Sequence, residues 1–140
     1  LMLDLDNTIA PCSRKTPPSE LLAWINEMKS AGIVLYIVSN SRREDRVSSF
    51  AGAFGIPYIY RAKKPSPRAV LRLLKKLRVL PENAALAGDQ IYTDVLAANR
   101  AGAISIIVHP LKLINPVLAL RFALELPFRA FKTSLPAPGD

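Results

Sequence analysis

The chain opens with Leu1-Met2-Leu3-Asp4-Leu5-Asp6-Asn7-Thr8, an apolar run that stops abruptly in carboxylates, an amide and a hydroxyl. Four further short apolar runs follow it, at residues 33–38, 57–60, 84–87 and 104–108, each separated from the next by a stretch of helix-like patterning. That alternation is the βαβ rhythm of a parallel sheet covered on both faces, since strands buried on both sides read as continuous apolar runs. The spacing predicts a first helix over 17–31, with Thr16 as cap, Pro17 in the first turn, a stripe of Leu21, Ile25 and Met28, and Gly32 as stop. A second helix puts Val47, Phe50, Ala51 and Phe54 on one face and ends at Gly55. A third opens at Ser66 and Pro67 and carries Val70, Leu73, Leu74 and Leu77 inward, with Arg68, Arg72, Lys75, Lys76 and Arg78 on its other sides. A fourth is expected over 92–101.

At 140 residues, with 50% apolar and 21% charged residues, the chain has the material for one core. Its single cysteine, Cys12, cannot form an internal disulfide, and Cys and His residues at zinc-site spacing are missing, so a disulfide-stapled secreted scaffold and a structural zinc module are excluded. Nineteen Lys and Arg against eleven Asp and Glu give a net charge of +8, which points to an anionic partner: nucleic acid, anionic lipid or phosphate esters. Lys112, Arg121, Glu125 and Arg129 interrupt the apolar C-terminal stretch, which argues against a membrane-spanning helix. Because the chain begins within a strand, an upstream piece is expected to be missing. The expected localisation is cytoplasmic or peripheral on a membrane, or organellar if that piece was a transit peptide.

Open parallel sheets bind ligands beyond the carboxyl ends of their strands. Those ends carry Asp4, Asp6, Asn7 and Thr8 after the first run, Ser39 and Asn40 after the second, Lys63, Lys64 and Pro65 after the third, and Gly88, Asp89 and Asp94 after the fourth. Carboxylates, a hydroxyl and a lysine on one rim suit a hard cation such as Mg2+ together with a phosphate. A calcium loop fails on spacing: counted from Asp4, Ile9 stands where the glycine is needed and Lys15 where the glutamate is. Asp6, Asn7 and Asp89 taken singly could be turn or cap residues. Turn chemistry, however, has no use for a serine and a lysine at the matching strand ends.

In that order, these four groups resemble the motifs of the haloacid dehalogenase superfamily of phosphatases, over roughly residues 1–110. The surrounding residues, Ile37-Val38-Ser39-Asn40, Gly55-Ile56-Pro57, Tyr60-Arg61-Ala62-Lys63-Lys64-Pro65 and Gly88-Asp89-Gln90-Ile91-Tyr92-Thr93-Asp94-Val95, resemble its subclass III-A branch, which holds the YqeG-type and phosphatidylglycerophosphate phosphatases. The resemblance implies a Rossmann-like α/β fold, a parallel sheet of about five strands with helices on both faces. It implies Asp4 as nucleophile toward phosphorus, Asp6 as acid and then base, and Lys64 as the catalytic lysine. Ser39, Asn40 and Lys64 would bind the phosphate; Asp4, Asp89 and the backbone carbonyl of Asp6 would hold Mg2+. Thr8 and Asp94 would support them, Asp94 by orienting Lys64 or the water around the metal. The second aspartate favours phosphate-ester hydrolysis over dehalogenation, which has no leaving alcohol to protonate. No cap domain fits between the motifs, whose separations are of loop-and-helix length. An open site either takes a head group carried on something large or borrows a lid from another subunit, so a homo-oligomer is compatible.

The third region, 111–133, reads as an amphipathic helix starting near Asn115 and Pro116. Arg121, Glu125, Arg129 and Lys132 form a narrow polar stripe among Val117, Leu118, Leu120, Phe122, Leu124, Leu126 and Phe128, and Pro127 is expected to bend or end the helix. It either lies buried across the sheet or lodges in a bilayer surface through 116–132. A flexible tail is expected over 134–140. The expected activity is Mg2+-dependent phosphomonoester hydrolysis through an aspartyl-phosphate, with phosphatidylglycerophosphate as substrate through the resemblance alone. A nucleic-acid 3′-phosphatase, a small sugar phosphatase and a catalytically silent membrane- or partner-binding protein are the alternatives; nucleic acid is the less favoured partner.

Overall fold

The computed structural model describes residues 1–112 and 116–129. The expected tail over 134–140, and residues 130–133 of the expected C-terminal helix, lie outside the described residues. Five parallel strands, β1 (Met2–Leu3), β2 (Tyr36–Val38), β3 (Tyr58–Ile59), β4 (Ala85–Gly88) and β5 (Ile104–Ile107), form one sheet in the order β3-β2-β1-β4-β5. The chain winds outward from β1 to β3, then returns to place β4 on the other side of β1. The crevice between β1 and β4 is therefore the topological switch point, where a doubly wound sheet presents its ligand site.

The two faces of the sheet follow from the two-residue period of a strand. Met2, Val38 and Leu86 point into one core with Val70, Leu73 and Leu74 of α3 (Arg68–Leu77) and with Ala97 and Ala98 of α4 (Leu96–Arg100). Leu3, Ile37 and Ala87, one residue along, point into the other core. There they meet Ile25 of α1 (Ser19–Ser30) and Val47, Phe50 and Phe54 of α2 (Glu44–Phe54). Edge strand β5 is the exception, with Ile104, Ile106 and Ile107 all exposed.

Helix boundaries differ from the sequence expectation where proline chemistry decides them. α1 begins at Ser19 after an extended Pro18, two residues beyond the expected start, because Pro17 precedes a proline and is held out of the helical region. The expected fourth helix is two pieces: a π turn, Ile91–Val95, and then α4. A last helix, α5 (Pro116–Arg129), is not ended by Pro127, which lies within its final described turn.

Phe50 has no exposed surface, meets the Phe54 ring edge-on at 5.9 Å between centroids, and lies under the Arg46 guanidinium. Phe50→Ala should cost about 3–5 kcal/mol, the usual range for emptying a buried aromatic position, read as a lower denaturant midpoint at unchanged slope.

Candidate active site

The loop after β1 turns at Asn7, whose left-handed backbone (φ 63°) is one that asparagine tolerates well. The turn brings Thr8 back against the strand end. Its hydroxyl lies 3.0 Å from Asp4 Oδ2 and 3.2 Å from Asp89 Oδ1, and accepts the Asp89 backbone N–H at 3.0 Å. A hydroxyl has one proton and so can satisfy only one of the two carboxylates at a time. Asp4 itself is buried, and its other oxygen, Oδ1, takes the Lys64 ammonium at 2.7 Å. Lys64 reaches Asp94 Oδ1 as well, at 2.6 Å. Asp94 is fixed in turn through Oδ2, which accepts the Gln90 N–H at 3.1 Å.

Lys64 is placed by its backbone as much as by its side chain. The Asn40 side-chain amide pairs with it in both directions, Nδ2 donating to the Lys64 carbonyl at 2.8 Å and Oδ1 accepting the Lys64 N–H at 2.7 Å. Ser39, fully buried, accepts the Ser41 N–H on Oγ at 3.0 Å, which leaves its hydroxyl proton to be donated elsewhere. Asp4, Asp6, Ser39, Asn40 and Lys64 line one open cavity of about 250 Å³. Thus the residues expected after four different strands converge at the switch point. Lys63, one position away, is exposed.

Electrostatics in this cluster are unbalanced. Burial alone would pull the Lys64 ammonium down, but Asp4 and Asp94 outweigh it and hold the group above its ordinary value. Burial, then the charges of Asp4 and Asp94, push Asp89 up to about 7. Asp4, Asp89 and Asp94 offer oxygens that all lie within 4.8 Å of one another, so three carboxylates face one ammonium. This donor set, hard, convergent and short of positive charge, fits a divalent cation such as Mg2+. It includes Asp4 and Asp89 of the set that the motifs suggest and adds the Asp94 carboxylate, while the Asp6 carboxylate, as distinct from its backbone carbonyl, pairs with Arg46 at 2.8 Å.

Sequence reasoning did not single out Arg46, and it gave Gly88, Glu125 and Arg129 no role in building the site. Arg46 is a buried guanidinium that also holds the Pro11 and Arg14 carbonyls, fixing the loop that carries Asp6. Nothing in the sequence separates it from its charged neighbours on α2. At Gly88 a Cβ would lie 2.2 Å from Asp94 Cγ, so only glycine lets Asp94 fold back on the end of β4. Glu125 is buried and accepts the Ile91 and Tyr92 N–H groups at 2.8 and 3.4 Å, while Arg129 holds the Asp89 and Val108 carbonyls and pairs with Glu125 at 2.8 Å. Glu125 and Arg129 of α5 therefore face the loop bearing Asp89. Leu120, Leu124, Leu126 and Phe128 are exposed instead. The Arg129 guanidinium is thereby occupied and is not offered to an anionic surface. Cys12, exposed beside Asp6, has its thiol pushed up by partial burial and then by the Asp6 charge, which disfavours the thiolate.

Residues 2–102 match the haloacid dehalogenase-like hydrolase family model. The chain is 41% identical over 110 residues to the probable phosphatase YqeG of Bacillus subtilis (strain 168), spanning 79% of this chain and 63% of that protein. Among solved structures it resembles an uncharacterized protein from Listeria monocytogenes serotype 4b, with a TM-score of 0.62 at 17% identity over 92% of this chain and 97% of the other. It also resembles D,D-heptose 1.7-bisphosphate phosphatase from B. bronchiseptica, with a TM-score of 0.61 at 16% identity over 76% and 78%. At those identities the two structures establish the fold.

Two outcomes follow from the geometry. Because the Asp89 carboxyl is raised in the fold from its ordinary 3.8 to about 7, its contribution to stability is full below pH about 4 and is lost as pH rises to about 7. In chelator, melting temperature should fall across that window, and Asp89→Asn should flatten the slope; a slope unchanged by the variant would contradict the assignment. Glu125→Ala strands two backbone N–H groups and leaves the Arg129 guanidinium without its carboxylate, and should cost about 3–5 kcal/mol of stability, checked by denaturant unfolding.

Proposed function

This chain belongs to the haloacid dehalogenase-like hydrolases, and from that premise we propose that it hydrolyses phosphomonoesters through an aspartyl-phosphate formed on Asp4. The observation that carries this reading is the state of Asp4: a buried carboxylate held on one oxygen by Lys64 and on the other by Thr8, at the floor of a cavity shared with Asp6 and Ser39. Both contacts fix the nucleophile before the ester arrives, which removes the cost of orienting it during the reaction.

In this mechanism Asp4 attacks phosphorus and the phosphorus–oxygen bond to the leaving alcohol breaks. Asp6 gives that alcohol its proton, through the carboxylate oxygen that Arg46 does not engage. Asp6, now a base, takes a proton from water, whose oxygen attacks phosphorus and releases phosphate and the free Asp4. Ser39 donates its hydroxyl proton to a phosphoryl oxygen, and Lys64 offsets charge that gathers on the phosphoryl group in each transition state. Asp4, Asp89 and Asp94 would hold Mg2+, which when bound supplies positive charge to the phosphoryl oxygens.

The chain spans 63% of the length of its YqeG relative, and the substrate remains part of the proposal: phosphatidylglycerophosphate, converted to phosphatidylglycerol. In support stand the motif wording shared with the subclass III-A branch, a site with no cap over it, and exposed Leu120, Leu124 and Phe128 on α5, apolar side chains suited to a bilayer surface. The protein would then work at a membrane surface, through Leu120, Leu124 and Phe128 of α5 rather than through Arg129. The complete set of Asp4, Asp6, Ser39, Lys64 and Asp89 counts against a silent interaction protein.

Phosphate release should be lost in excess chelator and return with Mg2+. Asp4→Asn should lower turnover by at least about 10³-fold at an unchanged melting temperature. Turnover of the variant equal to that of the wild type would contradict the covalent route. Vesicle-borne phosphatidylglycerophosphate should be hydrolysed faster than a 3′-phosphorylated oligonucleotide or a sugar phosphate.

A further inference from the structure

The catalytic cavity does not end at Asn40. That residue also lines a neighbouring cleft with Arg42, Arg61 and Lys63, and Arg61 and Lys63 line a third with Arg68 and Arg72. Neighbouring clefts share lining residues, Asn40 between the first and second and Arg61 and Lys63 between the second and third. Five cationic side chains border the second and third clefts, no carboxylate does, and none of the five is in an ion pair among the described residues. All five are exposed.

The backbone gives a second, independent sign. Arg61 and Lys63, on either side of buried Ala62, both have left-handed backbone, φ 48° and 58°, where glycine would be relaxed and a long side chain is not. The loop is pinned there by Ala62 N–H to the Ser39 carbonyl and Arg61 N–H to the Ser41 carbonyl, so the phosphate-binding strand end itself sets where the two cations stand. The Arg61 guanidinium also lies 5.7 Å from the Tyr60 ring, which steadies it. Strain held at two exposed positions on either side of Ala62, just before Lys64, is the mark of side chains kept for what they bind.

We infer that Arg61 and Lys63, with Arg42 beside them, form a second anion subsite, and that the preferred substrates carry a second phosphate on a glycerol-sized leaving group. Resting on the substrate reading above, which already puts a second phosphate on the leaving group, this inference assigns the residues that hold it: the first phosphate is hydrolysed at Asp4 while the second is held by the basic wall.

The test compares kcat/KM for two soluble esters, glycerol 3-phosphate and glycerophosphoglycerophosphate, which differ by the second phosphate and the terminal glycerol esterified to it, in wild type, Arg61→Gln/Lys63→Gln and Lys75→Gln/Lys76→Gln. The wild type should prefer the diphosphorylated ester by about tenfold or more, the return expected of one charge-assisted contact. The preference should collapse toward one in the first variant, chiefly through KM, and persist in the second, which removes the same charge from the far end of α3. A wild type without preference, or a preference that survives in Arg61→Gln/Lys63→Gln, overturns the subsite while leaving the hydrolase reading intact. Phosphate release from neither ester, nor from phosphatidylglycerophosphate, overturns both. A 3′-phosphorylated oligonucleotide preferred over both esters would assign the wall to nucleic acid and overturn the glycerol-sized leaving group.

Discussion

The Lys64 ammonium, almost wholly buried, stands between Asp4 at 2.7 Å and Asp94 at 2.6 Å, and the rest of the site is organised around that pair of contacts. One cation ties together three segments that are far apart in the chain: the ends of β1, β3 and β4. A buried ammonium is tolerable only with its charge met, and removing either partner of such a pair typically costs several kcal/mol. Its neighbours serve it. Asn40 clamps its backbone, Gly88 leaves room for Asp94 to reach it, and the turn at Asn7 returns Thr8 to the opposite side of Asp4. A site built this way is rigid before anything binds, the condition under which fixed charges stabilise a phosphoryl group in transit.

The same cluster is short of positive charge, as a cation site is and a self-contained ion pair is not. Three carboxylates lie together and two of them meet the one lysine, a single Thr8 hydroxyl stands between Asp4 and Asp89, and the Asp89 carboxyl is driven to about 7. A self-contained salt bridge would be neutral. Here the imbalance is what a divalent cation would correct.

Much of this was legible in the sequence, because strand ends and strand alternation are local. Asp4, Asp6, Ser39, Asn40, Lys64 and Asp89 each follow an apolar run, and the parallel order of the sheet carries them to one rim. What was not legible depends on contacts across the fold. Arg46 is one arginine among several charges on α2, and nothing nearby marks it as the one that turns inward to Asp6. The stripe of α5 was visible as a stripe, but periodicity reports that a helix has two faces, not which of them is buried. The normal rule fails there because the unpaired N–H groups of Ile91 and Tyr92 and the carbonyls of Asp89 and Val108 demand polar partners, and Glu125 and Arg129 supply them. The apolar side of α5 is left outward, and the catalytic loop after β4 is braced by a helix more than thirty residues downstream.

That bracing joins what reads in the sequence as a separate C-terminal piece to the chemistry at Asp89. The central claim remains the covalent role of Asp4, and rapid acid quench during turnover tests it most directly, with the peptide containing Asp4 examined by mass spectrometry. A phosphoryl adduct on that peptide, discharged by hydroxylamine and missing in Asp4→Asn, is the expected result. Steady turnover with no adduct on Asp4, or an adduct on another residue, would contradict it.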